Sequence, residues 1–221
     1  MIDKNKKTIV LMPPKTASNS VRILLEQFGY NFYKDLNLPN IPQIHLTLSE
    51  IIKLYNIVDL EEYKIIQVVR DPYHRYVSSF FFQKKIISNN YSIIFKDYNL
   101  HEFSKHLLNS KNTNNFVKNF YGDTSFVDYC IQNGISWGGT RFYDNQVDWD
   151  DVGVDVKYFK LEEISNDTTE LQSYLNLPNK QLPKINSQNL NIDYLSLITP
   201  EIKQIVIELF KKDFDKFFYI T

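Results

Sequence analysis

The chain has 221 residues, 25 basic and 26 acidic, for a formal net charge of −1. That balance excludes the broad basic field expected of a nucleic-acid or anionic-membrane binder, so any anion site must be local. Hydrophobic residues make up 43% and aromatics 15%, which is too apolar for a disordered chain, and no linker-like stretch interrupts it, so a single domain over 1–221 is expected.

One cysteine, Cys130, rules out an internal disulfide framework and a multi-cysteine metal site. The start, MIDKNKK, is polar, and the apolar run after it is too short for a signal peptide or a membrane span. A soluble, cytoplasmic protein is the expectation.

Taken in chain order, TIVLM (8–12) is bounded by charge and by Pro13-Pro14 and reads as a buried strand. The stretch PPKTASNS follows, and then Val21, Leu24, Leu25 and Phe28 recur at helical spacing, with Gly29 placed to close the helix. NFYKDL (31–36) is a candidate short strand, and LPNIPQIH a proline-punctuated loop. Thr47 and Glu50 have the spacing of a capping box for a helix running to about Asn56, placing His45 just before a helix start.

KIIQVV (64–69) is dense in β-branched residues and predicts a strand buried on both faces. Asp71-Pro72 ends it, and YHRYVSSFFFQKK predicts a helix. Between 88 and 124 only a helical piece near 101–109 stands out. VKYFKL (156–161) is a third core strand, DTTELQSYL a helix with Asp167 as its cap, and Thr199-Pro200 starts a last helix striped by Ile202, Ile205, Val206, Leu209 and Phe210. Strands alternating with helices imply an α/β fold in three layers, a central mostly parallel sheet flanked by helices.

Two constellations carry chemistry. A loop from a strand into a helix N-terminus presents unpaired N–H groups and the positive end of the helix dipole; Lys15 adds a charge, and Thr16, Ser18 and Ser20 add hydroxyls. The loop lacks the glycines and the Gly-Lys-Ser/Thr order of nucleoside triphosphatases, and no Gly-x-Gly-x-x-Gly fingerprint occurs anywhere. The second constellation is RDPYHRYVS (70–78), starting where a core strand ends. Ligands of open α/β sheets bind beyond the carboxyl ends of strands, so both motifs are expected to face one crevice. Arg70 and Ser78 are candidates for a second phosphate grip, whereas Arg75 is left between an anion contact and a solvated helix face.

In PKTASNS and RDPYHRYVS, the chain resembles sulfotransferases that use 3′-phosphoadenosine 5′-phosphosulfate (PAPS). It is most similar to the branch containing heparan and dermatan uronyl 2-O-sulfotransferases and their bacterial relatives. FYDNQVDW, VKYFKLEEIS, LPKINSQ and KKDFDKFFYI follow the same order, and only roughly 85–130 lacks a counterpart. The resemblance implies a P-loop-like fold in which Lys15, Thr16, Ala17, Ser18, Asn19 and Ser20 surround the 5′-phosphosulfate. Arg70 and Ser78 would then hold the 3′-phosphate, and Asn186 and Ser187 close over the nucleotide. Asn19 departs from the Thr or Ser expected there, but its backbone N–H is unaffected.

By the same resemblance, Lys15 stabilises the leaving oxygen, His45 is the catalytic base, no metal is needed, and the acceptor is a hydroxyl, with a carbohydrate favoured. Histidine suits a base because its unperturbed pKa is about 6.5. Of the others, His74 is expected at the surface and His101 and His106 in solvent. Glu26 and Asp35 are poorly placed as alternatives, and the aromatics between 80 and 143 read as core more readily than as sugar platforms. A nucleotide kinase, or a nucleotide-binding module without transfer activity, remains open as an alternative.

Overall fold

The structure, a computed structural model, describes residues 1–32, 45–87, 99–112, 144–184 and 193–219. Among these, four strands form one sheet in the order β1 (Ile2–Asp3), β2 (Thr8–Leu11), β3 (Lys64–Val69), β4 (Lys157–Lys160). β2, β3 and β4 run parallel, with Thr8 opposite Lys64, Leu11 opposite Gln67 and Val69 opposite Lys160. The three runs expected as strands are therefore all present, in a mostly parallel α/β sheet.

β1 was not anticipated. It pairs antiparallel with β2 for two residues, too few to leave a periodic signal, and Asp3 is buried there, accepting from the backbone N–H groups of Lys6 (2.9 Å) and Asn31 (2.7 Å).

Helices cover both faces of the sheet. Val21, Leu24 and Leu25 of α1 (Ser18–Glu26) pack on Val10, Met12, Ile66, Val68 and Phe159. Leu48, Ile51 and Tyr55 of α2 (Leu48–Tyr55) pack on Ile9, Leu11 and Ile65 of the other face. Alternate residues of β2 and β3 thus feed opposite layers, the reason those strands read as unbroken apolar runs. Gly29 has φ 77°, the left-handed turn that closes the segment after α1. The capping box is present: Thr47 Oγ1 accepts from Glu50 N–H, and Glu50 Oε2 accepts from Thr47 N–H (2.8 Å).

A third apolar cluster joins α3 (Pro72–Ile87), α4 (Leu100–Asn112), α7 (Pro200–Leu209) and α8 (Lys211–Phe217). Tyr76, Phe80 and Phe103 lie in it, so these aromatics are core. The expected last helix breaks at Phe210 into α7 and α8. Between β4 and α7 lie α5 (Leu161–Ile164) and α6 (Thr169–Tyr174). Thr168, not Asp167, occupies the cap position of α6, although the Asp167 carboxylate does accept from Thr169 N–H at 2.8 Å. The candidate strand at 31–36, Asp35, Cys130, Trp137, Asn186 and Ser187 fall wholly or mostly outside the described residues, as does the His106 side chain.

Candidate active site

β2 and β3 are parallel neighbours, so the loops that leave them emerge side by side at one edge of the sheet. Register extended beyond Leu11 and Gln67 brings Pro14 level with Arg70. The guanidinium of Arg70 donates through Nη1 to the carbonyl of Lys15 at 3.2 Å, so the two motifs meet directly.

The loop turns without glycine by placing Lys15 (φ 70°) and Ala17 (φ 59°) in the left-handed region. Each such residue costs about 1 kcal/mol, strain held in place by the loop's anchors. Thr16 is buried and its hydroxyl donates to the Pro13 carbonyl at 2.7 Å, tying the turn at its base. The first intrahelical bond of α1 runs from Val21 N–H to the Ala17 carbonyl, so the N–H groups of Ser18 and Asn19 belong to the first turn, where an α-helix supplies no acceptor of its own. They point where the helix dipole is positive.

Lys15 lies partly buried with Nζ 4.0 Å from the centroid of Phe82 on α3. Ser78 is one turn before Phe82, on the same helix face. Burial, reinforced by the charge of Arg70, lowers the Lys15 pKa from 10.5 to about 8. A cation held this way gains when an anion arrives.

His45 stands across the loop. Its Nδ1 is 2.8 Å from the Met12 carbonyl, and a carbonyl only accepts, so Nδ1 carries the hydrogen and the neutral ring has its lone pair on Nε2. That tautomer can take a proton. The imidazole stands edge-on to buried Trp149, at 6.4 Å between centroids. Asp151 braces this corner, accepting from the N–H and hydroxyl of Ser49 on α2.

Of the other titratable groups considered above, Glu26, His74 and His101 are engaged elsewhere. Glu26 accepts from Arg22 Nη1 at 2.8 Å through both oxygens, His74 Nδ1 lies 3.0 Å from Asp71, and His101 lies 3.5 Å from Glu201. Among the described residues no group of three or more His, Cys, Asp or Glu side chains is arranged to hold a metal, and no helix is long and apolar enough to cross a membrane.

A sequence profile described as sulfotransferase family matches residues 1–220. The chain belongs to the sulfotransferase family. No curated protein matches this sulfotransferase by sequence. Among solved structures it is similar to mouse sulfotransferase SULT7A1 complexed with PAP, at 15% identity and a TM-score of 0.51, covering 97% of this chain and 87% of that one. At that identity the likeness speaks for the fold.

In this sulfotransferase the nine residues expected at the site lie in the β2–α1 loop and the start of α1 (Lys15, Thr16, Ala17, Ser18, Asn19 and Ser20), three residues before α2 (His45), just past β3 (Arg70) and on α3 (Ser78). Three others lie behind the site, of which sequence reasoning weighed Arg75 and missed Gln146 and Asp213. Arg75 is neither solvated nor at the crevice: it is fully buried, donating to the carbonyls of Pro14 (Nε, 3.1 Å) and Asp144 (Nη1, 2.8 Å) and facing Asp213 at 3.8 Å. Gln146, on a 3-10 turn (Gln146–Trp149), and Asp213, on α8, complete that buried group. Burial pushes the Asp213 carboxyl up, opposed by Arg75 and by the N–H groups it accepts from. A polar residue inside FYDNQVDW gave only a hint of this.

Proposed function

We propose that this sulfotransferase moves the sulfuryl group of PAPS to an acceptor hydroxyl on a carbohydrate, as a single domain working in the cytoplasm. The observation that carries the reading is the Arg70–Lys15 contact at 3.2 Å, which joins two anion-binding loops into one grip suited to a nucleotide charged at both ends. The 5′-phosphosulfate sits on the Lys15–Ser20 turn and the 3′-phosphate between Arg70 and Ser78. The left-handed turn and the N–H groups of α1 support the first assignment; the place of Ser78, one turn from Phe82, supports the second.

The acceptor oxygen attacks sulfur in line, the S–O bond to the bridging phosphate oxygen breaks, and 3′-phosphoadenosine 5′-phosphate (PAP) leaves with the electron pair. The Lys15 ammonium stabilises the charge growing on that oxygen. His45 Nε2 takes the acceptor proton, a role favoured by the tautomer that Met12 imposes. The similarity of PPKTASNS and RDPYHRYVS to the uronyl 2-O-sulfotransferase branch favours a carbohydrate acceptor.

Calorimetric titration with PAP and with MgATP tests the nucleotide. PAP is expected to bind at least tenfold more tightly, about 1.4 kcal/mol, and tighter MgATP binding would overturn the reading. A single-turnover assay with labelled PAPS and mixed glycan acceptors tests transfer; no labelled glycan would leave a binding module instead.

A further inference from the structure

Arg70 is the first residue beyond β3: the pairing with β4 ends at Val69, and that with β2 at Gln67. Among the described residues neither strand pairing reaches it. Gln146 does, accepting from Arg70 N–H through Oε1 at 2.7 Å and donating to the Arg70 carbonyl through Nε2 at 2.8 Å. One primary amide thus reproduces the two-bond pair that an antiparallel neighbour makes with an extended residue.

The clamp is itself fixed. Gln146 is fully buried, and its carbonyl accepts from Gln67 Nε2 at 2.5 Å. Asp213 accepts from Gln146 Nε2 (3.2 Å) and from Val147 N–H (3.0 Å). Asp213 in turn faces Arg75, which holds the Pro14 carbonyl, and the next residue, Lys15, accepts from Arg70. The circuit closes on itself: Arg70, Lys15 and Pro14, Arg75, Asp213, Gln146, and back to Arg70.

We infer that Gln146 is a positioning residue that sets Arg70 for recognition of the nucleotide's 3′-phosphate, so that preference for a 3′-phosphorylated nucleotide depends on a side chain that does not touch it. The inference rests on the nucleotide reading above. An arginine reads phosphate through a fixed fork, and its selectivity depends on where its backbone holds that fork. A Gln146 without its donor removes the bond to the Arg70 carbonyl and loosens the hold on the strand end.

The test is calorimetry on the whole chain with PAP and adenosine 5′-monophosphate, comparing wild type with Gln146→Met and Gln146→Glu. Methionine keeps the length and removes both hydrogen bonds to Arg70 along with the one to Asp213; glutamate keeps an acceptor for Arg70 N–H and loses the donor. Wild type should prefer PAP, and Gln146→Met should lose about tenfold or more of that preference, with monophosphate affinity changed by less than about threefold. Gln146→Glu should fall between the two.

If Gln146→Met does not fold by circular dichroism, the ratio in Gln146→Glu decides. An unchanged ratio in a folded variant overturns the inference, as does an equal loss for both nucleotides, the mark of a merely structural role. A wild type with no preference for PAP overturns the nucleotide reading itself and is told apart because it needs no variant.

Discussion

Raising the pH from 7 to 9 should weaken PAP binding about tenfold, because it discharges one lysine. Burial of Lys15, with Arg70 adding like charge, lowers its pKa to about 8 from 10.5. At that value roughly nine-tenths of the side chain is protonated at pH 7 and one-tenth at pH 9; at the ordinary value it would stay charged throughout. Arg70 does not titrate in this range, and a phosphate's second ionisation, near about 6, is already complete.

The sign differs for folding. Because the folded pKa is depressed, the cost of burying the ammonium is present below the folded value and is relieved as pH rises from about 8 toward 10.5, so the ligand-free protein gains stability where binding is lost. Calorimetry in buffers of different ionisation enthalpy measures both Kd and proton uptake, which should approach one proton per PAP near pH 9. Lys15→Met should bind weakly with a flat profile, and Lys15→Arg should bind without the alkaline fall. A flat wild-type profile, or the same fall in Lys15→Arg, would refute the assignment of the charge to Lys15.

Three further outcomes are expected. His45→Ala should retain PAP affinity while turnover falls by roughly 10² or more; full activity moves the base elsewhere. Asp213→Ala leaves the Arg75 guanidinium buried without its carboxylate and should destabilise by about 3–5 kcal/mol in urea denaturation; a loss under about 1 kcal/mol would show that the pair is not held as described. Ala17→Gly relieves the left-handed strain while loosening the unfolded chain, so its stability should stay within about 1 kcal/mol of wild type. Ala17→Val, β-branched at φ 59°, should be clearly less stable by thermal melting, and equal melting points for Gly and Val would contradict the loop geometry.

The core strands, the capping box at Thr47 and Glu50, and the two motifs at Lys15 and Arg70 were legible in the sequence alone. Each is written in neighbouring residues: an apolar run, a three-residue cap spacing, a proline after a strand. The short pairing of β1 left no such trace, and neither did the division of the last helix at Phe210. The glycine-free loop could be read as an anion site, but its left-handed turns at Lys15 and Ala17 could not, since neither residue type asks for that conformation. Tertiary structure decided those, along with the hydrogen on His45 Nδ1, which a carbonyl 33 positions away determines. It also decided the role of Arg75, which on its own helix reads as well for solvent as for burial. The link from Arg70 to Lys15 spans 55 positions and that to Gln146 spans 76, and these depend on which strands lie side by side. Local sequence determines which elements form; the parallel register of β2 and β3 determines which of their ends meet.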